Sequence, residues 1–253
     1  MRVVSHTCSN TEIVCALGCA DRLIAIDADS DFPPDVARRL PQLGRDLEFD
    51  VDAVARLRPD LVLTSLTVPG HERIVEALRT TGQRCLVIDP QSLDEVYASI
   101  RSIAAALGVG ARGDALVDEM ECAMPHHEAG PDAPRILVEW WPKPVIGAAR
   151  RSWVQDLIER AGGRNALGHV EARSATVGPA DLDRVAPDAI VMSWCGVKVA
   201  KYRADVVLDR EAWGDTPAVR NARVFPVSEE FLGRPGPRLV EGYRALRQIV
   251  SRA

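Results

Sequence analysis

The residues in this chain that could do chemistry are indoles, hydroxyls, amides and carboxylates that follow short apolar runs. Thr7-Cys8-Ser9-Asn10 follow Arg2–Ser5, Asp27 to Phe32 follow Leu23–Ile26, and Ser65 to Thr67 follow Leu61–Thr64. Further on, Trp140-Trp141 follow Arg135–Glu139, Ser193-Trp194-Cys195 follow Ala189–Met192, and Ser228-Glu229-Glu230-Phe231 lie near the end. Three of the five tryptophans are in these places. A stacked aromatic pair adds about 0.5–1.5 kcal/mol beyond its burial, so the chemistry implied is capture of a large planar molecule. Trp140, Trp141 and Trp194 are expected to stack, with Ser9, Asn10 and Glu229 orienting polar groups. For any single tryptophan, covering a sheet edge is an equally good reading.

Catalysis finds no such support. The chain has neither G-x-S-x-G nor H-E-x-x-H, the turns that present a nucleophile or a zinc pair. Gly108-Val109-Gly110-Ala111-Arg112-Gly113 matches the dinucleotide fingerprint by letter, but that fingerprint needs a strand before it, and here a helical pattern precedes it. A helix break is expected instead. Cys8, Cys15 and Cys19 match no zinc or iron–sulfur spacing. His126-His127 reads as a solvated loop, and His6 as a hydrogen-bonded histidine of a buried strand. No catalytic residue, metal-ligand set or intrinsic cofactor is expected.

These residues must be positioned by alternating helices and strands. Leu57-Arg58-Pro59-Asp60-Leu61-Val62 and Val185-Ala186-Pro187-Asp188-Ala189-Ile190 each close an amphipathic helix, turn on Pro-Asp and enter an apolar run, half a chain length apart. A duplicated unit of this kind predicts an α/β protein of two lobes, with central parallel sheets flanked by helices and a ligand cleft between the lobes. The expected division is an α/β lobe over 1–90, a connecting helical segment over 91–128 acting as a rigid backbone helix, and a second α/β lobe over 129–253.

Composition excludes several classes. A net charge of −5 argues against a nucleic-acid ligand, which needs a basic face. No run approaches the roughly 18 apolar residues of a membrane span. The first residues lack the apolar core of a secretory leader, and the six cysteines are scattered, which points to the cytoplasm for the chain as written. If a leader was removed, the periplasm or cell surface replaces it.

Nearly end to end, the chain resembles the substrate-binding proteins of iron-siderophore, haem and cobalamin importers. The resemblance is carried by Arg2-Val3-Val4-Ser5 with Ser9-Asn10-Thr11-Glu12-Ile13 and Ala16-Leu17-Gly18, and by the Leu57–Val62 unit. Ala161-Gly162-Gly163-Arg164-Asn165 and Arg234-Pro235-Gly236-Pro237-Arg238-Leu239 extend it. Asp31-Phe32-Pro33-Pro34 is similar to the cobalamin-binding members in particular. The resemblance implies a non-enzymatic receptor for a corrinoid or related metal chelate, with a siderophore or haem receptor as one alternative. The other is a cytoplasmic corrinoid-handling accessory protein or enzyme on the same scaffold. It places Ser9, Trp140 and Glu229 at the ligand, with Asp29 where relatives carry a pocket tyrosine, Asp46 a tryptophan and Ile146 a phenylalanine. It also implies docking on an ABC permease through one acid per lobe, near Asp52 and Asp181.

Overall fold

The computed structural model describes residues 1–253, which fold as two compact units. Unit 1 comprises Met1–Pro90 with Glu95–Glu119, and unit 2 comprises Gln91–Asp94 with Met120–Ala253.

Unit 1 alternates β1 (Val3–Ser5), α1 (Cys8–Ala16), β2 (Leu23–Ile26), α2 (Pro34–Ala37), α3 (Val51–Leu57), β3 (Leu61–Ser65), α4 (His71–Thr80) and β4 (Cys85–Ile88). Its sheet is parallel throughout, in the order β2-β1-β3-β4. β1 and β3 are buried along their whole length, as parallel strands covered on both faces must be. That burial is why they read as unbroken apolar runs in the sequence.

The connecting helical segment is two helices, α5 (Leu93–Ala106) and α6 (Gly110–Ala123), which meet at the glycines where a helix break was expected, and most of it belongs to unit 1. The physical reason is the glycine pattern. Gly108 takes φ +69° in the turn that ends α5, and a Cβ on Gly113 would lie 2.5 Å from the Ala104 Cβ. The dinucleotide-like letters therefore serve a helix break followed by a close helix–helix contact.

Unit 2 runs β5 (Arg135–Pro142), β6 (Val145–Ala148), α7 (Trp153–Arg160), β7 (Arg164–Asn165), β8 (Ser174–Thr176), α8 (Leu182–Val185), β9 (Ala189–Met192), α9 (Asp205–Leu208), α10 (Pro217–Arg220), β10 (Val224–Pro226), α11 (Glu229–Leu232) and α12 (Leu239–Val250). The sheet order is β10-β9-β5-β6-β8, with β7 also on β5. β10, β9, β5 and β7 are parallel, whereas β6 is antiparallel to both β5 and β8. The second sheet is thus mixed rather than parallel throughout. Trp140 and Trp141 belong to β5 itself, which turns at Lys143-Pro144 into a hairpin. The prolines of Pro142-Lys143-Pro144 hid that hairpin, because they read as the end of regular structure.

The repeated Pro-Asp turn has one job in both units. α3 and α8 end on residues with positive φ, Arg58 at 49° and Ala186 at 28°, and the proline then forbids further helix. The Asp60 carboxylate accepts from the Arg2 N–H at 2.6 Å while its own N–H donates to the Arg2 carbonyl at 2.8 Å. In unit 2 the Asp188 carboxylate accepts from the Arg135 N–H at 2.8 Å, and the Asp188 N–H donates to the Arg135 carbonyl at 2.8 Å. Each aspartate thereby fixes the register of the adjoining strand and satisfies a backbone donor at its start. Asp188→Ala is expected to cost about 1–2 kcal/mol in urea unfolding, with Asp188→Asn recovering most of it. An unchanged midpoint for the alanine variant contradicts the register role.

Candidate functional site

In unit 1 the residues beyond the strand ends bond largely to one another. Asn10 is fully buried and its Nδ2 donates to the His6 carbonyl at 3.0 Å. Ser9 is buried in the first turn of α1, 3.3 Å from the Thr7 hydroxyl. Asp29 accepts from Arg45 at 3.0 Å and from the Asp46 N–H at 3.1 Å, tying the loop after β2 to the segment before α3. Phe32 is different: its side chain is 41% exposed.

Below this loop sits a network that the sequence could not assemble. His6 ends β1, Asp46 precedes α3 and His71 opens α4. The His71 Nε2–H donates to Asp46 Oδ1 at 2.8 Å and the His6 Nε2–H donates to the Asp46 carbonyl at 2.9 Å. The other ring nitrogens accept from hydroxyls, His6 Nδ1 from Thr64 at 2.8 Å and His71 Nδ1 from Ser65 at 3.2 Å. Carboxylates and carbonyls only accept, so these partners fix the tautomers. Both imidazoles are fully buried, with the Phe49 ring 4.7 Å from that of His6. Burial pushes the His6 pKa down to about 4. The histidines hold Asp46 below the usual carboxylate range against its own desolvation. The reading of His6 as a hydrogen-bonded, buried histidine agrees with this geometry, but His71 carried no signal, since only the fold brings α4 to β1.

In unit 2 the decisive group is Glu139, fully buried one residue before Trp140. Its carboxylate accepts from Arg210 Nη1 at 2.7 Å, Arg210 Nη2 at 2.8 Å and the Trp194 indole N–H at 2.8 Å. Arg210 also donates to the Pro142 carbonyl at 3.3 Å, so it brackets the tryptophan pair. Trp141 is 43% exposed, opposite Ile146 in the β5/β6 register, and its indole N–H donates to the Lys143 carbonyl at 3.0 Å. Trp140 is half-buried against Trp153, at 6.2 Å between ring centroids. The Trp140 indole nitrogen and the Ser193 hydroxyl beside it are buried without a protein partner.

Burial and pairing distinguish the members of the expected ligand set. Trp194 is a core residue, clamped to Glu139 and packed in the unit 2 core, so it is no stacking surface. Asn10 and Ser65 are likewise enclosed. Asp46 is occupied by the histidines and Asp29 by Arg45. Glu229 pairs with Arg234 at 3.1 Å, and the Arg238 guanidinium lies 4.9 Å from the Phe231 ring centre. Of the expected docking acids, Asp52 is exposed in the first turn of α3, beside a groove of about 850 Å³ lined also by Phe49, Glu72 and Glu76. The Asp181 carboxylate accepts from the Gly178 N–H at 3.0 Å and pairs with Arg184 at 3.3 Å.

A pattern that the sequence did not reveal emerges from the large apolar side chains left exposed. Apart from Met1 they are Phe32, Leu47, Val68, Trp141 and Val199. Phe32 and Val68 lie in the loops that follow β2 and β3, Leu47 lies between α2 and α3, Trp141 is the next-to-last residue of β5, and Val199 follows β9. Each unit therefore leaves its uncovered apolar surface at the carboxyl end of its sheet, where open α/β sheets bind ligands.

Comparison with known proteins agrees with this architecture. The periplasmic binding protein family matches residues 3–230. An uncharacterized ABC transporter substrate-binding lipoprotein, YvrC of Bacillus subtilis, is 28% identical over 98% of this chain and 79% of its own. A vitamin B12-binding protein of Pectobacterium atrosepticum is 26% identical over 99% of this chain and 87% of its own. Among solved structures, the periplasmic heme-binding protein RhuT from Roseiflexus sp. RS-1 superposes with a TM-score of 0.81 at 25% identity, over 98% of this chain and 97% of that one. Relatives described as lipoprotein or periplasmic give the cytoplasmic expectation no support. No helix is long and apolar enough to cross a membrane.

Asp27 supplies a pH test of the unit 1 loop. It is buried, accepting from the Ser30 hydroxyl at 2.6 Å and the Asp29 N–H at 3.0 Å, and desolvation pushes its pKa up to about 6. Ionisation then costs the folded state more than the unfolded one, so this group removes stability as pH rises from about 4 to 6. His6, lowered to about 4, acts with the opposite sign over the same range. Asp27→Asn is expected to gain up to about 3 kcal/mol over wild type at pH 7 and nothing at pH 4, measured by urea unfolding across that range. An equal effect at both pH values contradicts the assignment.

Proposed function

The chain belongs to the periplasmic binding protein family, and on that premise we propose that it is the substrate-binding component of an ABC importer, acting outside the cytoplasm and capturing a corrinoid or closely related planar metal chelate. The observation that carries this reading is the exposed apolar surface at the carboxyl ends of both sheets, led by Trp141 and Phe32. A large flat ring presents mostly apolar surface, and burying it against such side chains yields about 25 cal/mol per Å². Trp140 gives an adjoining half-buried indole. Ile146, opposite Trp141 in the register, completes the unit 2 set.

Full-length relatives include both a vitamin B12-binding protein and a heme-binding one. A corrinoid is favoured here by ligand chemistry. Haem capture gains from a protein axial ligand, and the histidines and the tyrosine near these strand ends are poorly disposed to serve, while desolvation pushes the Cys195 thiol up, away from a ligating thiolate. His6 and His71 are fully buried. The Tyr202 hydroxyl donates to the Trp194 carbonyl at 3.1 Å, and burial with the Glu229 charge pushes its pKa up, away from a ligating phenolate. A corrinoid brings axial ligands of its own. Docking on a permease would use Asp52, whose carboxylate faces solvent, more readily than Asp181, which is engaged with Gly178 and Arg184.

Titration of the protein with cobalamin, cobinamide, haem and a ferric hydroxamate, followed by tryptophan fluorescence, tests the reading. Corrinoids are expected to quench saturably, and Trp141→Ala to weaken them about 2- to 12-fold, the equivalent of one stacked ring. Quenching by haem or the hydroxamate alone overturns the corrinoid assignment and leaves chelate capture standing. No response to any of the four overturns both.

A further inference from the structure

We propose that His6, Asp46 and His71 form a binding site in unit 1 for a single divalent transition-metal ion of the zinc and cobalt type, distinct from the chelate and independent of that reading. Three potential ligand atoms, one from each side chain, lie within 4.8 Å of one another. Asp46 Oδ1 is 2.8 Å from His71 Nε2 and 3.7 Å from His6 Nε2. Two imidazole nitrogens and a carboxylate oxygen are a donor set that suits such ions. With metal–ligand bonds of about 2.0–2.2 Å, the ion needs donors roughly 3.3 Å apart. His6 Nε2 must then close on Asp46 Oδ1 by about 0.4 Å, His71 Nε2 must draw back from it by about 0.5 Å, and the two imidazole nitrogens must converge by at most about 1.5 Å, shifts within reach of side-chain rotation.

Three features beyond proximity support an ion here. First, each imidazole has its far nitrogen on a hydroxyl, Thr64 for His6 and Ser65 for His71, which is the outer-shell arrangement that orients ligating histidines. A hydroxyl both donates and accepts, so each ring can move its proton from Nε2 to Nδ1 and turn a lone pair on Nε2 towards the ion; for His6 this gives up the hydrogen bond to the Asp46 carbonyl, which metal ligation must offset. Second, the charge is right: the Asp46 carboxylate lies near enough to Asp27 to act on it electrostatically, and the exposed Arg45 is paired to Asp29. Third, the imidazoles are fully buried while the Asp46 side chain keeps about a third of its surface exposed. An ion can therefore enter past the carboxylate, and one position is left for water. The same enclosure keeps a broad chelate from reaching either histidine.

The test titrates Co²⁺ into full-length protein that has been treated with chelator and kept reduced, reading visible absorption. The expected result is one equivalent of bound Co²⁺ with the strong visible bands of low-coordinate cobalt, displaced by Zn²⁺, and with no sulfur-to-cobalt charge-transfer band from the six free cysteines. His71→Gln should abolish the spectrum, and Thr64→Val should weaken binding about 10-fold through the outer shell. The weak spectrum of aqueous cobalt with wild-type protein, or a charge-transfer band showing thiolate ligation, overturns the proposal without recourse to any variant. So does a full signal in His71→Gln. Corrinoid binding by metal-free protein is expected to persist, which separates failure of this site from failure of chelate capture.

Discussion

The carboxylate of Glu139 is the interaction on which unit 2 depends. Its burial one residue before the tryptophan pair would be prohibitive if unpaired, and three donors from two distant segments make it tolerable. Removing one partner from such a pair costs about 3–5 kcal/mol, so β5, β9 and the Arg210 segment are held in one arrangement. Arg210 further bonds the Pro142 carbonyl, which closes the bracket around Trp140 and Trp141. A β-bulge lies between Glu139 and Trp141 in the β5/β6 pairing, and bulges re-aim side chains. One buried charge thereby fixes the backbone while the indole after the bulge stays exposed.

Unit 1 reaches a comparable end differently. Its sheet is wholly parallel, and polar residues beyond it pair with each other: Asp29 with Arg45, Asp27 with Ser30, His71 with Asp46. Such a network is rigid because every buried polar atom that finds a partner avoids a desolvation cost of about 1–3 kcal/mol. What remains exposed there is apolar, namely Phe32, Leu47 and Val68. Both units thus hold their charges by internal pairing and leave apolar side chains uncovered at the sheet's carboxyl end.

Much of the fold was legible in the sequence. β2 runs over the apolar stretch Leu23–Ile26 and α3 ends at Leu57 where the Pro-Asp turn predicts, because their period and punctuation are local. The Leu57–Val62 and Val185–Ile190 repeat was legible too, and the structure supplies its cause in the Asp60 and Asp188 register bonds. The β5/β6 hairpin was not, since prolines flank its turn and β6 is short. The functional residues were harder to read. Sequence placed Trp140, Trp141 and Trp194 together as indoles at strand ends, but only burial distinguishes Trp141, which is exposed, from Trp194, which is clamped to Glu139. His71 was silent because its partner His6 lies at the end of a strand that only tertiary folding brings beside α4.

The central claim is that the exposed indole of β5 receives the ligand's flat face. Fluorine NMR of protein labelled with 5-fluorotryptophan resolves it directly, since the chain has five tryptophans and three of them, Trp153, Trp194 and Trp213, are buried. On addition of cobinamide the Trp141 resonance should shift most and Trp140 next, with the three buried indoles little changed. Saturable binding that leaves Trp141 and Trp140 unmoved would contradict the account.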